Sequence, residues 1–342
     1  MSNSSNNSNK NKVTGKYASA KQAMRNGVVN AEQAENYRQF KLALRELCAD
    51  PPDESPFRNA VVEELDSRHG YGFALRHALR HLVKTKFVCV VQHDRTFMRP
   101  APVLETVEAM LNHPNVKYVG MSMRSNLMYR DIFVGKYGRK FSEEHRSMVL
   151  RLPELVVDAV RYGPDSESTR SMDCKSEKVR DNINAVVETY RLSSQWLEER
   201  ERVQLLQQQQ HNGGEGDPGN DKNEALSAAA PLPPGKHQMT LTPTLFWYDN
   251  VHIAETEHYR DFVFNPKYKM VARGGFVEDK LSPVMKRTVE RLGLREGHSR
   301  FGCYLLDDHS GMFFTGHLDG GSYLTPELKK KILDSKNVEP PG

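Results

Sequence analysis

Four short segments combine carboxylates, histidines, glycines and aromatic rings in ways that can do chemistry. Gln92-His93-Asp94 directly follows the apolar run Phe87-Val88-Cys89-Val90-Val91. A carboxylate at the end of a buried strand can bind a divalent cation, and a cation there can neutralise a nucleotide diphosphate. An Asp in that place also serves simply to cap a loop. Arg273-Gly274-Gly275-Phe276-Val277-Glu278-Asp279 joins two glycines, which let backbone approach a ligand, to adjacent carboxylates that can take a proton from a hydroxyl. The same residues read equally as a turn followed by the acidic first turn of a helix. In Thr315-Gly316-His317, the imidazole can complete a metal shell that leaves positions open for substrate oxygens, or it is a plain loop residue. Trp247-Tyr248-Asp249 offers an aromatic platform with a carboxylate, suited to stacking a sugar and binding its hydroxyls. Its simpler reading is a buried aromatic anchor.

The elements that must position these groups follow from hydrophobic spacing. Leu75, Ala78, Leu79 and Leu82 mark one face of a helix that begins near Phe73, after the turn-rich Asp66 to Gly72. Phe87–Val91 fits a strand buried on both faces, with Cys89 a buried reduced thiol. A helix from about Val103 to Leu111 and a second buried strand, Val116-Lys117-Tyr118-Val119-Gly120, come next. Ala60-Val61-Val62-Glu63-Glu64-Leu65 reads as a further strand, so strands and helices alternate as in a parallel α/β sheet. In such a sheet ligands collect beyond the carboxyl ends of the strands, where Gln92-His93-Asp94 stands.

Five segments are expected. Residues 1–56 form a polar tail and a helical lead-in, closed by Pro51-Pro52-Asp53-Glu54-Ser55-Pro56. Residues 57–175 and 238–326 are two parts of one domain. Residues 176–237 are an insertion, comprising a polar helix over about 181–210 and a Gln-, Gly- and Pro-rich linker. Residues 327–342 are a tail.

Composition limits the function. Lys and Arg number 48 against 44 Asp and Glu, spread along all 342 residues, so there is no basic block for nucleic acid. The four cysteines stand far apart with no zinc spacing, and they point to a reducing compartment. No apolar stretch is long enough to span a membrane, so as written the chain reads as cytoplasmic.

The order of these motifs resembles that of family 2-type glycosyltransferases of the GT-A class, over about residues 57–130 and 240–326. In that family a glycine-led helix carrying an Arg-Asn pair runs into a buried strand that ends in a D-x-D motif. Arg76 and His77 stand at the Arg-Asn positions and Gln92-His93-Asp94 at the D-x-D. Gly274-Gly275 with Glu278-Asp279 is similar to the family's glycine and Glu-Asp motif, and His317 to a carboxyl-terminal metal-binding His.

The resemblance implies a Rossmann-like, mostly parallel sheet flanked by helices, with the insertion set into it. It implies transfer of a sugar from a nucleotide donor, UDP-linked by preference, to a glycan, lipid or protein acceptor, inverting and assisted by manganese or magnesium. Asp94 and His317 would hold the metal, while Arg76, His93, Asp94, Gly274 and Gly275 would contact the donor. Trp247 and Asp249 would seat the acceptor, and Asp279 would be the base, with Glu278 as the alternative. Two departures from the pattern stand out. Gln92 replaces the first Asp of the D-x-D, and the nucleotide-cradling strand that usually opens the family is not found. They keep open a non-catalytic nucleotide-sugar or glycan-binding relative. A protein that binds a partner through residues 181–210 is a second alternative. Related enzymes often work in the secretory pathway behind an amino-terminal anchor, which would apply if such a segment were missing here.

Overall fold

A computed structural model describes residues 30–163, except 68 and scattered positions between 124 and 149, residues 232–308 except 273 and 274, and residues 313–317. Of the expected insertion at 176–237, only residues 232–237 are described, and its expected polar helix lies outside the described residues. The chain divides into two compact units, Met1–His69 and Gly70–Gly342.

In the first unit, helix α1 (Ala31–Ala49) starts at Asn30, whose side chain accepts from the Gln33 N–H while the Gln33 side chain accepts from the Asn30 N–H. This reciprocal cap satisfies two of the amide donors that every helix start leaves over. No residue of α1 is buried, and Lys41 and Arg45 on its side both pair with Glu64. Ala60–Leu65, which alternates poorly and carries two glutamates, is irregular rather than a strand, with Val61 exposed.

The second unit is built on a six-stranded mixed sheet. Its strands are β1 (Phe87–Val90), β3 (Tyr118–Met121), β4 (Leu150–Asp158), β5 (Lys236–Pro243), β6 (His252–Glu255) and β7 (Cys303–Asp307). They lie in the order β1-β6-β3-β7-β5-β4. A two-stranded ribbon joins β2 (Arg95–Phe97) to β8 (Thr315–His317). Helices α2 (Tyr71–His81), α3 (Val103–Asn112), α4 (Ala159–Tyr162), α5 (Val277–Leu292) and α6 (Leu294–Ser299) accompany them.

The α/β class holds, but the expectation of a mostly parallel sheet does not. Among the described strands of this sheet only β3 and β7 pair in parallel; β1–β6, β6–β3, β7–β5 and β5–β4 are antiparallel. The reason is β6, which comes from the second half of the chain and runs between β1 and β3. Strands β1, β3 and β7 still point the same way, so their carboxyl ends share one edge of the sheet. Because β1 is the sheet's outer strand, it is only partly covered, and Cys89 is exposed rather than buried.

Alternate residues of the central strands feed two cores, as the pleat requires. Val119, Met121 and Ile253 pack with Ala109 and Met110 of α3, while Tyr118 and Ala254 pack with Leu79 of α2 and Val277, Leu281 and Met285 of α5. The four-residue spacing along α5 is one helical stripe. Helices therefore cover both faces, which is why β3 is apolar throughout.

Beyond β7, Asp308 forms a two-pronged ion pair with Arg99 at 2.7 and 3.0 Å, and the guanidinium lies 3.7 Å from the centroid of Phe314. Both charged ends are within 1% of complete burial. Burial alone would raise the Asp308 pKa, but the charge of Arg99 and the nearby His237 outweigh it and hold the carboxyl well below its ordinary range. Removing one partner would strand a buried charge, which typically costs about 3–5 kcal/mol. Arg99→Met should therefore lower unfolding stability in urea by about that amount at pH 7, whereas Arg99→Met with Asp308→Leu should recover much of the loss. Asp308 contributes stability above its ordinary pKa that is lost as pH falls below about 4. Equal stabilities for the protein and Arg99→Met would contradict this.

Candidate functional site

Two helix starts meet on one side of the sheet. The Gly72 N–H of α2 donates to the Gly275 carbonyl at 3.2 Å, just before α5 begins. A Cβ at position 72 would come within 2.9 Å of Val271 Cγ1 and 3.0 Å of the Gly275 oxygen, so only glycine lets the two segments approach this closely. The Tyr71 and Phe276 rings cover the junction, 5.3 Å apart.

The loop Trp247-Tyr248-Asp249 is fastened to the start of α5. Ser282 accepts from the Trp247 N–H at 3.0 Å and donates to the Trp247 carbonyl at 3.2 Å. Asp249 and Glu278 clasp each other: Asp249 Oδ2 accepts from the Glu278 N–H at 2.9 Å, and Glu278 Oε2 accepts from the Asp249 N–H at 3.0 Å. The helix start needs an acceptor for its free amides, and the buried Asp249 supplies one from a distant part of the sequence. Trp247 Nε1 donates to Asp249 Oδ1 at 3.3 Å.

Tyr71 is the point where the separate segments come together. Burial raises its phenol well above the usual range, and the carboxyl of Asp249 adds to this; Gln92 beside it opposes the shift, Glu278 reinforces it and Arg95 opposes it. Its hydroxyl is enclosed, with the Gln92 side chain beside it. Arg95 Nε donates to Gln92 Oε1 at 3.2 Å, which ties the segment after β1 to the ribbon.

The residues expected from sequence fall into three groups. Asp249 and Glu278 meet directly, and all three of Asp249, Glu278 and Gln92 act on Tyr71. Asp94 is half-buried in the turn between β1 and β2, and His93 beside it is exposed. His317 pairs with Arg95 across the ribbon, so its backbone stands one register position from Asp94. Among the described residues no group of three His, Cys, Asp or Glu side chains is placed to hold a metal ion. The His317 side chain lies outside those residues.

The remaining residues take other places. Asp279 Oδ2 accepts from the Phe276 N–H at 3.1 Å and so caps α5, the simpler of its two readings. Trp247 is 1% exposed, walled by Tyr118, His252 and Tyr259 at ring distances of 4.3, 5.7 and 5.0 Å. It is the core anchor that presents Asp249, not a surface for a sugar. Arg76 stacks on Phe73 at 4.0 Å and faces a cleft formed with residues 263–271. His77 packs against His81, and Gly274 lies outside the described residues.

Sequence reasoning missed several members of this neighbourhood. Tyr71 reads as one more residue of a glycine-rich turn, and nothing local marks it. Asp307 and Asp308, in contrast, follow the apolar Tyr304-Leu305-Leu306 just as Asp94 follows β1, so the rule that ligands gather at strand ends applies to them equally.

Burial pushes Asp249 up to about 7, and the hydrogen bond from the Glu278 backbone only partly offsets it. Below about pH 4 the folded and unfolded chains both hold this proton; between about 4 and 7 only the folded chain does, so rising pH favours unfolding across that window. Asp249→Asn should cost about 1 kcal/mol at pH 5 through a lost acceptor. It should also abolish this group's share of the decline from pH 4 to 7. Urea midpoints for both proteins at several pH values check this, and parallel pH profiles would overturn it.

No protein-family model matches the chain, and comparison with curated proteins and with solved structures gives no match.

Proposed function

We propose that the second unit transfers a sugar from a nucleotide-diphosphate donor to an acceptor hydroxyl. The observation that carries this reading is the Asp249–Glu278 clasp at the start of α5, which borders Tyr71 together with the Gln92–Arg95 contact in the segment that follows β1. Group transfer to a hydroxyl needs a carboxylate to take the proton and a separate polar region for the leaving diphosphate. The Asp249–Glu278 clasp suits the first task and the Gln92–Asp94 segment the second.

Of the two candidate bases, Glu278 is the better placed. One of its oxygens is fixed by the Asp249 N–H, which leaves the other to meet a substrate. Asp279 likewise gives one oxygen to a backbone amide, that of Phe276, so what favours Glu278 is its contact with Asp249 beside Tyr71. In the transfer, Glu278 accepts the acceptor's hydroxyl proton as the acceptor oxygen bonds to the anomeric carbon. The bond from that carbon to the diphosphate oxygen breaks, and the nucleoside diphosphate leaves with the electron pair. Such a displacement inverts the anomeric centre. Asp94 and His317 would hold a divalent cation, which when bound supplies positive charge to the leaving diphosphate. Asp249 acts as a positioning residue by holding Glu278.

The first of the alternative readings, a non-catalytic binder of nucleotide sugars, is favoured by Gln92, which leaves the strand end one carboxylate short of a D-x-D. Transfer assays with labelled UDP-sugars and a panel of glycan acceptors separate the two. Glu278→Gln should reduce transfer at least about 100-fold, the usual scale for a lost general base, with donor binding unchanged. Asp279→Asn should lower helix stability by about 1 kcal/mol and leave the rate within a few-fold. A large loss in Asp279→Asn with full activity in Glu278→Gln would reverse the assignment.

A further inference from the structure

A cleft of about 180 Å³ opens beside α2, lined by Phe73, Arg76, Phe264, Lys269, Met270 and Val271 among others. Its two ends differ in chemistry. Phe264 and Met270 are almost fully buried, so the floor is apolar. Arg76 and Lys269 supply the charge, and neither is paired with a carboxylate among the described residues. Arg76 is moreover crowded by its own kind: partial burial first, and then the charge of Arg80, lower its pKa. The nearby carboxylate of Asp261 is engaged by Arg260 at 2.5 Å. Lys269 stands at φ 52, a left-handed conformation that a lysine seldom adopts, and it follows a π-helical turn at His258–Val263.

Two unpaired cations over an apolar floor have a definite complement. From it we infer that the cleft binds a phosphate monoester whose organic part is compact and apolar or planar. The phosphate accepts from the Arg76 guanidinium and the Lys269 ammonium, and the organic part covers Phe264, Met270 and Val271. The volume fits: an apolar cavity of about 150 Å³ is enough to hold a benzene ring. Charge-assisted hydrogen bonds to phosphate are the strong class, and arginine gives them direction. This site is distinct from the Asp94 and Glu278 region and does not depend on the transfer reading.

Phenyl phosphate, inorganic phosphate and phenol serve as probes, titrated calorimetrically into the full chain. Phenyl phosphate should bind, at least severalfold more tightly than inorganic phosphate, with phenol weakest. Arg76→Gln and Lys269→Gln should each weaken phenyl phosphate about tenfold, the scale of one lost charge-assisted contact. Asp94→Ala should leave it unchanged. Lys269 is exposed, so its variant tests the site without disturbing the core. No binding of phenyl phosphate, or binding by both variants as tight as that of the unaltered chain, overturns the proposal. Equal affinity for phenyl phosphate and inorganic phosphate overturns its apolar half, and loss in Asp94→Ala would assign the phosphate to the other site.

Discussion

The clasp between Asp249 and Glu278 is the interaction on which the site depends. A carboxyl that is 4% exposed is costly to charge, so burial pushes Asp249 up to about 7, and the free amides at the start of α5 offset only part of that cost. In return the amide of Asp249 fixes one oxygen of Glu278. The loop after β5 and the start of α5 are thereby held to each other from both ends, and Ser282 repeats the connection one turn further on. Burial of Trp247 beneath this loop leaves Asp249 little room to move.

The same principle operates at the other end of the neighbourhood. The Arg99–Asp308 pair connects the segment that follows β2 to the one that follows β7, with Phe314 against the guanidinium. Next to it, β8 pairs with β2 and carries His317 to the register position of Arg95. Buried charge is used here to hold loops at strand ends, where hydrophobic packing alone gives little direction. Glycine makes the matching contribution at position 72, where closeness to Gly275 leaves no space for a side chain.

Local pattern explains what the sequence makes legible. The helix over 71–81 and the strand at 118–121 show clear spacing, and both are present. Sheet order is not local: β6 derives from His252–Glu255, far along the chain, and its insertion between β1 and β3 turns an expected parallel arrangement into a mixed one. Nor does spacing tell which of two adjacent carboxylates caps a helix. Glu278 and Asp279 differ only in the partner that folding brings to each, Asp249 in one case and the Phe276 amide in the other. Tyr71 is the extreme case, since its importance lies in neighbours drawn from three separate segments.

A transferase of this kind must receive a nucleotide diphosphate at the strand end beside Asp94. Calorimetric titration of UDP into the purified chain, with and without manganese, and then into Asp94→Ala, tests it most directly. UDP should bind only with manganese present, and binding should disappear in Asp94→Ala while the variant stays folded. UDP binding that ignores both manganese and the substitution, or no binding by a folded protein in either condition, would contradict it.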